Sequence, residues 1–145
     1  EFITLYHGTS IDAANSIRKN GVDLNHATRD MDFGRGFYTT TDRGQAQKWI
    51  DMRYSGSGDI VEFNIPKNEL DALNGKIFSS GNSGWANFVT QSRNGMANSY
   101  DYVSGPMLMN PKPYLKYGKE AVAKGQQTAF NTKVGVDLLN KFMKR

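Results

Sequence analysis

The spacing of apolar residues changes period several times along the chain, and each change marks an element. Ile3 to Tyr6 reads as a strand, because β-branched and aromatic residues run up to Gly8. Thr9 with Asp12 fits a helix start, and Ile11, Ala14 and Ile17 keep helical spacing until Asn20-Gly21. Residues 22–36 hold no period and predict a loop, followed by a short strand Phe37 to Thr40. Asp42 and Gln45 mark a second helix start, with Ala46, Trp49, Ile50 and Arg53 on one face. Ser55-Gly56-Ser57-Gly58 predicts a turn, and Ile60 to Ile65 a strand ended by Pro66. Trp85, Phe88 and Val89 suit a third helix. Further strands are expected over Tyr100 to Ser104, stopped by Gly105-Pro106, and over Thr128 to Thr132, entered from Gly125. Val134, Leu138, Leu139 and Phe142 line a C-terminal helix. Strands and helices mix without regular alternation, so the expected class is α+β and not a doubly wound parallel sheet. No repeat, linker or low-complexity stretch divides residues 1–145, which read as one domain.

Composition then removes several classes. At 38% hydrophobic residues, with eight Phe and seven Tyr, the chain is too apolar for a disordered segment. No cysteine is present, so neither disulfides nor thiolate metal sites are expected. His7 and His26, nineteen residues apart and without cysteine, do not supply the ligands of a zinc centre, and no metal is expected. No apolar run approaches membrane-spanning length, and no membrane partner is expected. Glu1-Phe2 reads as a cloning remnant or as the cut end of a longer protein whose C-terminal fragment this is. The net charge of +4 gathers towards the C-terminus, at Lys112, Lys116, Lys119, Lys124, Lys133, Lys141, Lys144 and Arg145. That surface would attract a polyanion or an acidic protein, unless it is a solvated tail.

The chain has no Gly-Lys-Ser/Thr phosphate loop and no glycine-rich strand-to-helix fingerprint. What remains is His7 at a strand end before Gly8-Thr9, and Tyr38 in a strand between Gly36 and the hydroxyls of Thr39 and Thr40. Gly8 lets a ligand approach the backbone, His7 can bond sugar hydroxyls, and Tyr38 offers a flat face to a heterocycle. Arg35, between Gly34 and Gly36, is placed to meet a pyrophosphate, or is a surface residue of a loop. Trp49, Trp85, Phe88 and Phe130 are assigned to the core, and His26 to a loop without a role.

Leu5-Tyr6-His7-Gly8-Thr9-Ser10, then Asp32-Phe33-Gly34-Arg35-Gly36-Phe37-Tyr38-Thr39-Thr40-Thr41-Asp42 with Gln45-Ala46, resembles a bacterial family of ADP-ribosyltransferase-like domains found at the C-termini of Rhs-type polymorphic toxins. Tyr100 to Pro106 and Gln127 to Thr132 extend the likeness along nearly the whole chain. The resemblance implies a split mixed β-sheet with flanking helices and a site for NAD as substrate. It places His7 on the ribose hydroxyls, the Gly8 backbone against the nicotinamide amide with Thr9 beside it, and Tyr38 against the nicotinamide ring with Thr39 near. The third position of the superfamily, usually Glu, matches Gln127, with Gln126 as the alternative because one residue of register decides which faces inward. Gln cannot act as a base, so Asp101, Asp32 and Glu120, in that order, are the acids to examine.

The expected activity is therefore cleavage of NAD with release of nicotinamide and transfer of ADP-ribose to structured RNA or protein. Alternatives within the same site are an NAD glycohydrolase, an RNA 2′-phosphotransferase and a degenerate module that binds nucleotide or partner without turnover. The resemblance further implies a secreted effector acting in the cytoplasm of a target cell, and a cognate immunity protein.

Overall fold

The structure, a computed structural model, describes residues 1–145. Its strands are β1 (Phe2–Ser10), β2 (Phe37–Thr39), β3 (Gly58–Pro66), β4 (Gly75–Ile77), β5 (Tyr102–Leu108), β6 (Ala123–Phe130) and β7 (Met143–Lys144). Its helices are α1 (Ile11–Asn20), α2 (Arg43–Tyr54), α3 (Lys67–Asp71), α4 (Ser83–Arg93), α5 (Pro111–Tyr117) and α6 (Lys133–Lys141). The strands form two sheets, ordered β1-β3-β7 and β2-β6-β5-β4, so the class is α+β. Every pairing is antiparallel except β4 with β5. One bridge joins the sheets: Tyr6 N–H donates to Thr40 O at 2.8 Å, and Thr40 N–H donates to Tyr6 O at 2.9 Å.

Alternation along β1 and β3 covers both faces of the ribbon they form. Leu5, Val61, Phe63 and Ile65 meet Ala14 of α1 and Val136 and Leu139 of α6 in the main core. Tyr6 and Ile60 point the other way, against Ala46 and Ile50 of α2. A second core lies under the other sheet, where Val103 and Ala129 pack with Phe33 and with Trp85 and Val89 of α4. Each such aliphatic or aromatic burial contributes about 1.5–3 kcal/mol, and those contributions hold the helices to the sheets.

Several boundaries differ from expectation for identifiable reasons. Helix α1 is capped by the Ser10 hydroxyl, which accepts from Ala13 N–H, and not by Thr9, because β1 runs on to Ser10 and the helix starts one residue later, at Ile11. Strand β5 starts only at Tyr102 but runs through Gly105-Pro106, and the ladder absorbs the proline with a register shift between Gly105 and Met107. Between these pairs β6 carries one residue more than β5, and Gly125 there takes φ 70°, a left-handed conformation that favours glycine. Strand β6 ends at Phe130, and Thr132 caps α6 through its hydroxyl. Helices α3 and α5 and strands β4 and β7 are additional elements, each of seven residues or fewer.

Gly8 shows how closely α2 is drawn onto β1: a Cβ there would lie 2.4 Å from the Ala46 carbonyl oxygen. Gly8→Ala is expected to cost about 2 kcal/mol, lowering Tm by roughly 4–8 °C, whereas Gly84→Ala in α4, where a Cβ meets only Asn82 Oδ1 in ordinary contact at 3.5 Å, does not lower Tm. Thermal melts of the two variants check this, and equal Tm values would contradict the packing argument.

Candidate functional site

Beyond the Tyr6–Thr40 bridge, β1 and β2 diverge, and a cavity of about 1100 Å³ opens between them. His7, Gly8 and Thr9 form one wall, Phe37 and Tyr38 the facing one. Helix α1, the 3-10 turn Leu24–His26, Trp49, Met52 and Arg53 of α2, and the Met107–Met109 stretch close the rest, with Gln127 of β6 inside. Strand parity orients Gly8. The Tyr6 N–H and C=O face β2 across the bridge, so those of Gly8, two residues on, face the same edge where no strand follows.

The His7 ring stacks on Phe37 at 4.1 Å between centroids and 27° between planes. Its Nδ1 lies 2.6 Å from the Tyr38 carbonyl oxygen. A carbonyl only accepts, so Nδ1 carries the proton and Nε2 keeps a lone pair. Burial lowers the His7 pKa to about 4, opposed by the Tyr38 carbonyl and reinforced by the Arg53 charge. His7 is thus a neutral hydrogen-bond acceptor at physiological pH.

Tyr38 is fixed by its hydroxyl, which donates to Gly34 O at 2.6 Å and accepts from Phe33 N–H at 2.9 Å. Burial pushes its pKa up, so the phenol stays protonated and offers its ring, not its oxygen, to the cavity.

Behind that wall lies a buried polar cluster. Asp32 Oδ1 accepts from Arg93 Nε at 2.7 Å and Nη2 at 2.5 Å. Its Oδ2 accepts from Leu108 N–H at 2.8 Å and Gln127 Nε2 at 2.9 Å. The second proton of Gln127 Nε2 reaches Pro106 O at 3.3 Å, a carbonyl beside the β5 irregularity that also accepts from Trp85 Nε1 at 2.9 Å. Gln127 Oε1 has no partner within the protein and is not sealed from solvent.

His7, Gly8, Thr9, Tyr38 and Gln127 therefore share one cavity, and Asp32 joins them. Other expected residues do not. Thr39 turns to the opposite face of β2, where its hydroxyl donates to Thr128 O at 2.9 Å. Gln126 likewise faces away, bonded to Thr41 N–H and the Thr128 hydroxyl. Arg35 pairs with Asp30 at 3.0 Å beside a separate hollow of about 350 Å³. Asp101 is a structural staple, accepting from the Thr132 hydroxyl at 2.7 Å and Asn74 N–H at 3.0 Å. Glu120 is exposed and outside the cavity. Trp49 is only half buried and lines the cavity instead of the core, and His26 lies on its wall.

Two cations were not singled out from sequence as ligand groups. Arg53 lines the cavity with no hydrogen bond or ion pair, and Arg93 lines it while holding Asp32. Arg53 was within reach, since it sits one helical turn after Trp49 on the same face. Arg93, at the end of α4, is brought in only by tertiary packing. No group of three or more His, Cys, Asp or Glu side chains could hold a metal ion, and no helix is long and apolar enough to cross a membrane.

Because the folded His7 pKa lies below the unfolded value of about 6.5, the unfolded chain binds the extra proton between those values. Stability from this group is present above pH 6.5 and is lost as pH falls through 4, by up to about 3 kcal/mol. His7→Gln is expected to lose correspondingly less stability between pH 7 and pH 4 in denaturant titrations. NMR titration of the wild-type ring should give a midpoint near 4. A midpoint near 6.5 would overturn the desolvation argument.

No curated protein matches the chain. Residues 3–111, which include His7, Asp32, Tyr38, Arg53 and Arg93 but stop short of Gln127, match a family described as protein of unknown function (DUF3990), and the chain belongs to that family.

Proposed function

We propose that the chain is an NAD-dependent ADP-ribosyltransferase with an ADP-ribosyltransferase-like split sheet, acting as a toxin domain on a macromolecule. The observation that carries this reading is the convergence of His7, Gly8, Tyr38 and Gln127 on one cavity of about 1100 Å³ between two diverging strands.

The donor set fits NAD. His7 Nε2, Gln127 Oε1 and the Thr9 hydroxyl are acceptors without protein partners, matched to ribose hydroxyls. The unpaired N–H and C=O of Gly8 suit a carboxamide, which needs one acceptor and one donor side by side. Tyr38 gives an aromatic surface for the nicotinamide. Arg53 and Arg93 replace Arg35 as the cations available to a pyrophosphate. In the reaction, the bond between the ribose C1′ and the nicotinamide nitrogen breaks with its electron pair leaving on nicotinamide. An acceptor oxygen or nitrogen then bonds to C1′ and releases its proton to solvent.

The seven lysines named from sequence divide in two, while Arg145 Nε donates to the Arg18 carbonyl at 2.9 Å. Lys133, Lys141 and Lys144 pair with Asp137, Glu69 and Glu62. Lys112, Lys116, Lys119 and Lys124 are exposed and make no ion pair, and they follow the Met107–Met109 cavity wall along the chain. Four exposed lysines without ion pairs on the segment that follows this wall favour structured RNA over protein as acceptor, through phosphate attraction. Delivery into a target cell's cytoplasm and protection by an acidic immunity protein belong to the same proposal.

The test incubates the domain with NAD labelled in the adenylate and with cell extract, followed by separate nuclease and protease digestion. Label released by nuclease is expected, and His7→Ala or Tyr38→Ala should lower it at least 10-fold with folding intact. Label released by protease instead would move the acceptor to protein, and free ADP-ribose alone would make the chain a glycohydrolase. Intact NAD would leave a binding module without turnover and overturn the proposal.

A further inference from the structure

We infer that Asp32 is the positioning residue for Gln127 and the reason an amide, not a carboxylate, stands at position 127; this rests on the NAD-cleaving reading of the cavity. A carboxylate has about four lone-pair sites, and all four of Asp32 are used: two by Arg93, one by Leu108 N–H and one by Gln127 Nε2. Asp32 is only 4% exposed. It has no lone pair left for a substrate proton, so it cannot serve as the base although it is the acid nearest to Gln127. Its fourth contact does something else. With Pro106 O, it takes both protons of the Gln127 amide, which leaves no choice of flip and aims Oε1 at the cavity.

A glutamate at 127 would place one carboxylate against another, where Asp32 Oδ2 now receives a donor at 2.9 Å. Two carboxylates that close cannot both ionise, and the pair holds a proton to higher pH. Gln127 and Asp32 are thus complementary as a donor and an acceptor. The negative charge stands one hydrogen bond behind the reacting region, balanced by Arg93. The site accordingly selects a hydroxyl donor for Gln127 Oε1 and withholds a carboxylate base from the acceptor.

Two arms test this. In the first, NAD consumption is followed for wild type, Gln127→Ala, Asp32→Asn and the double variant, each well below its Tm. Both single variants should lower kcat about 10- to 100-fold with smaller change in KM, and the double variant should be no slower than the slower single one. Asp32→Asn with wild-type kcat, or losses that multiply, would overturn the inference, because a merely stabilising residue lowers Tm and spares the kcat of folded enzyme. The second arm needs no activity and no folding of the Asp32 variant. The Tm of Gln127→Glu is compared with wild type from pH 5 to pH 8. The groups around the new carboxyl are Asp32 in contact and Arg93 bonded to Asp32, with His7, Tyr38 and Arg53 on the same cavity. A folded-state pKa raised by Asp32 makes the variant near wild type at pH 5 and progressively less stable as pH rises. A deficit that stays constant with pH would overturn the coupling. Wild type that leaves NAD intact would defeat the proposed activity instead, and the second arm would still decide whether Asp32 and Gln127 are coupled.

Discussion

Two backbone hydrogen bonds between Tyr6 and Thr40 are where the two sheets join, and the rest of the architecture is organised around them. On one side of the bridge the strands are drawn together. On the other they must part, because α2 packs so closely on β1 at Gly8 that only hydrogen fits against the Ala46 carbonyl, while β2 is held by β6. The cavity is the geometric consequence of that divergence. It receives a strand edge whose N–H and C=O groups are unpaired, and such an edge is costly unless water or a ligand satisfies it. The interaction that closes the fold therefore also generates the polar wall of the site.

The second constraint is the burial of Asp32. Taking a carboxylate out of water is costly, and it is tolerated here because Arg93 neutralises it and two further donors complete it. Those donors come from α4, β5 and β6, elements far apart in sequence. The cluster thus ties the loop before β2 to α4 and to β5 and β6 of β2's own sheet, at the point where Phe33, the next residue, enters the second core. Removing one partner leaves a buried charge uncompensated. Tyr38 depends on the same loop, since its hydroxyl is held by Phe33 and Gly34.

What sequence could show was the part governed by local rules. Strand β1, the α2 cap at Asp42, β3 ended by Pro66 and the face of α6 follow from period, capping and proline chemistry. His7 and Tyr38 stood out because each sits in a strand beside glycine, and strand register then brought them onto one cavity. Arg35 and Asp101 misled because a charge next to glycines, or next to a strand, carries no information about which face it will take. Their partners, Asp30 and Thr132, are set by tertiary contacts. Short elements such as β4 and α5 have too few residues for any period to emerge. Arg93 and Asp32 lie 61 residues apart, and only the packed chain makes them a pair.

Position 127 joins these arguments. Under the proposed reading, a glutamine at the position matched to the superfamily's usual acid reads in isolation as a loss of function. Within the structure it is the residue type demanded by its neighbour: a buried carboxylate with one acceptor site open requires a donor, and of the two similar side chains only the amide supplies one. The register shift at Pro106 contributes too, since the carbonyl beside it accepts both from Trp85 Nε1 at 2.9 Å and from the second amide proton of Gln127 at 3.3 Å. Two local irregularities, a proline within a strand and a buried acid, thus both bond to one side chain. The same side chain turns its remaining oxygen towards the cavity, so what satisfies the interior also fixes what the site can bind.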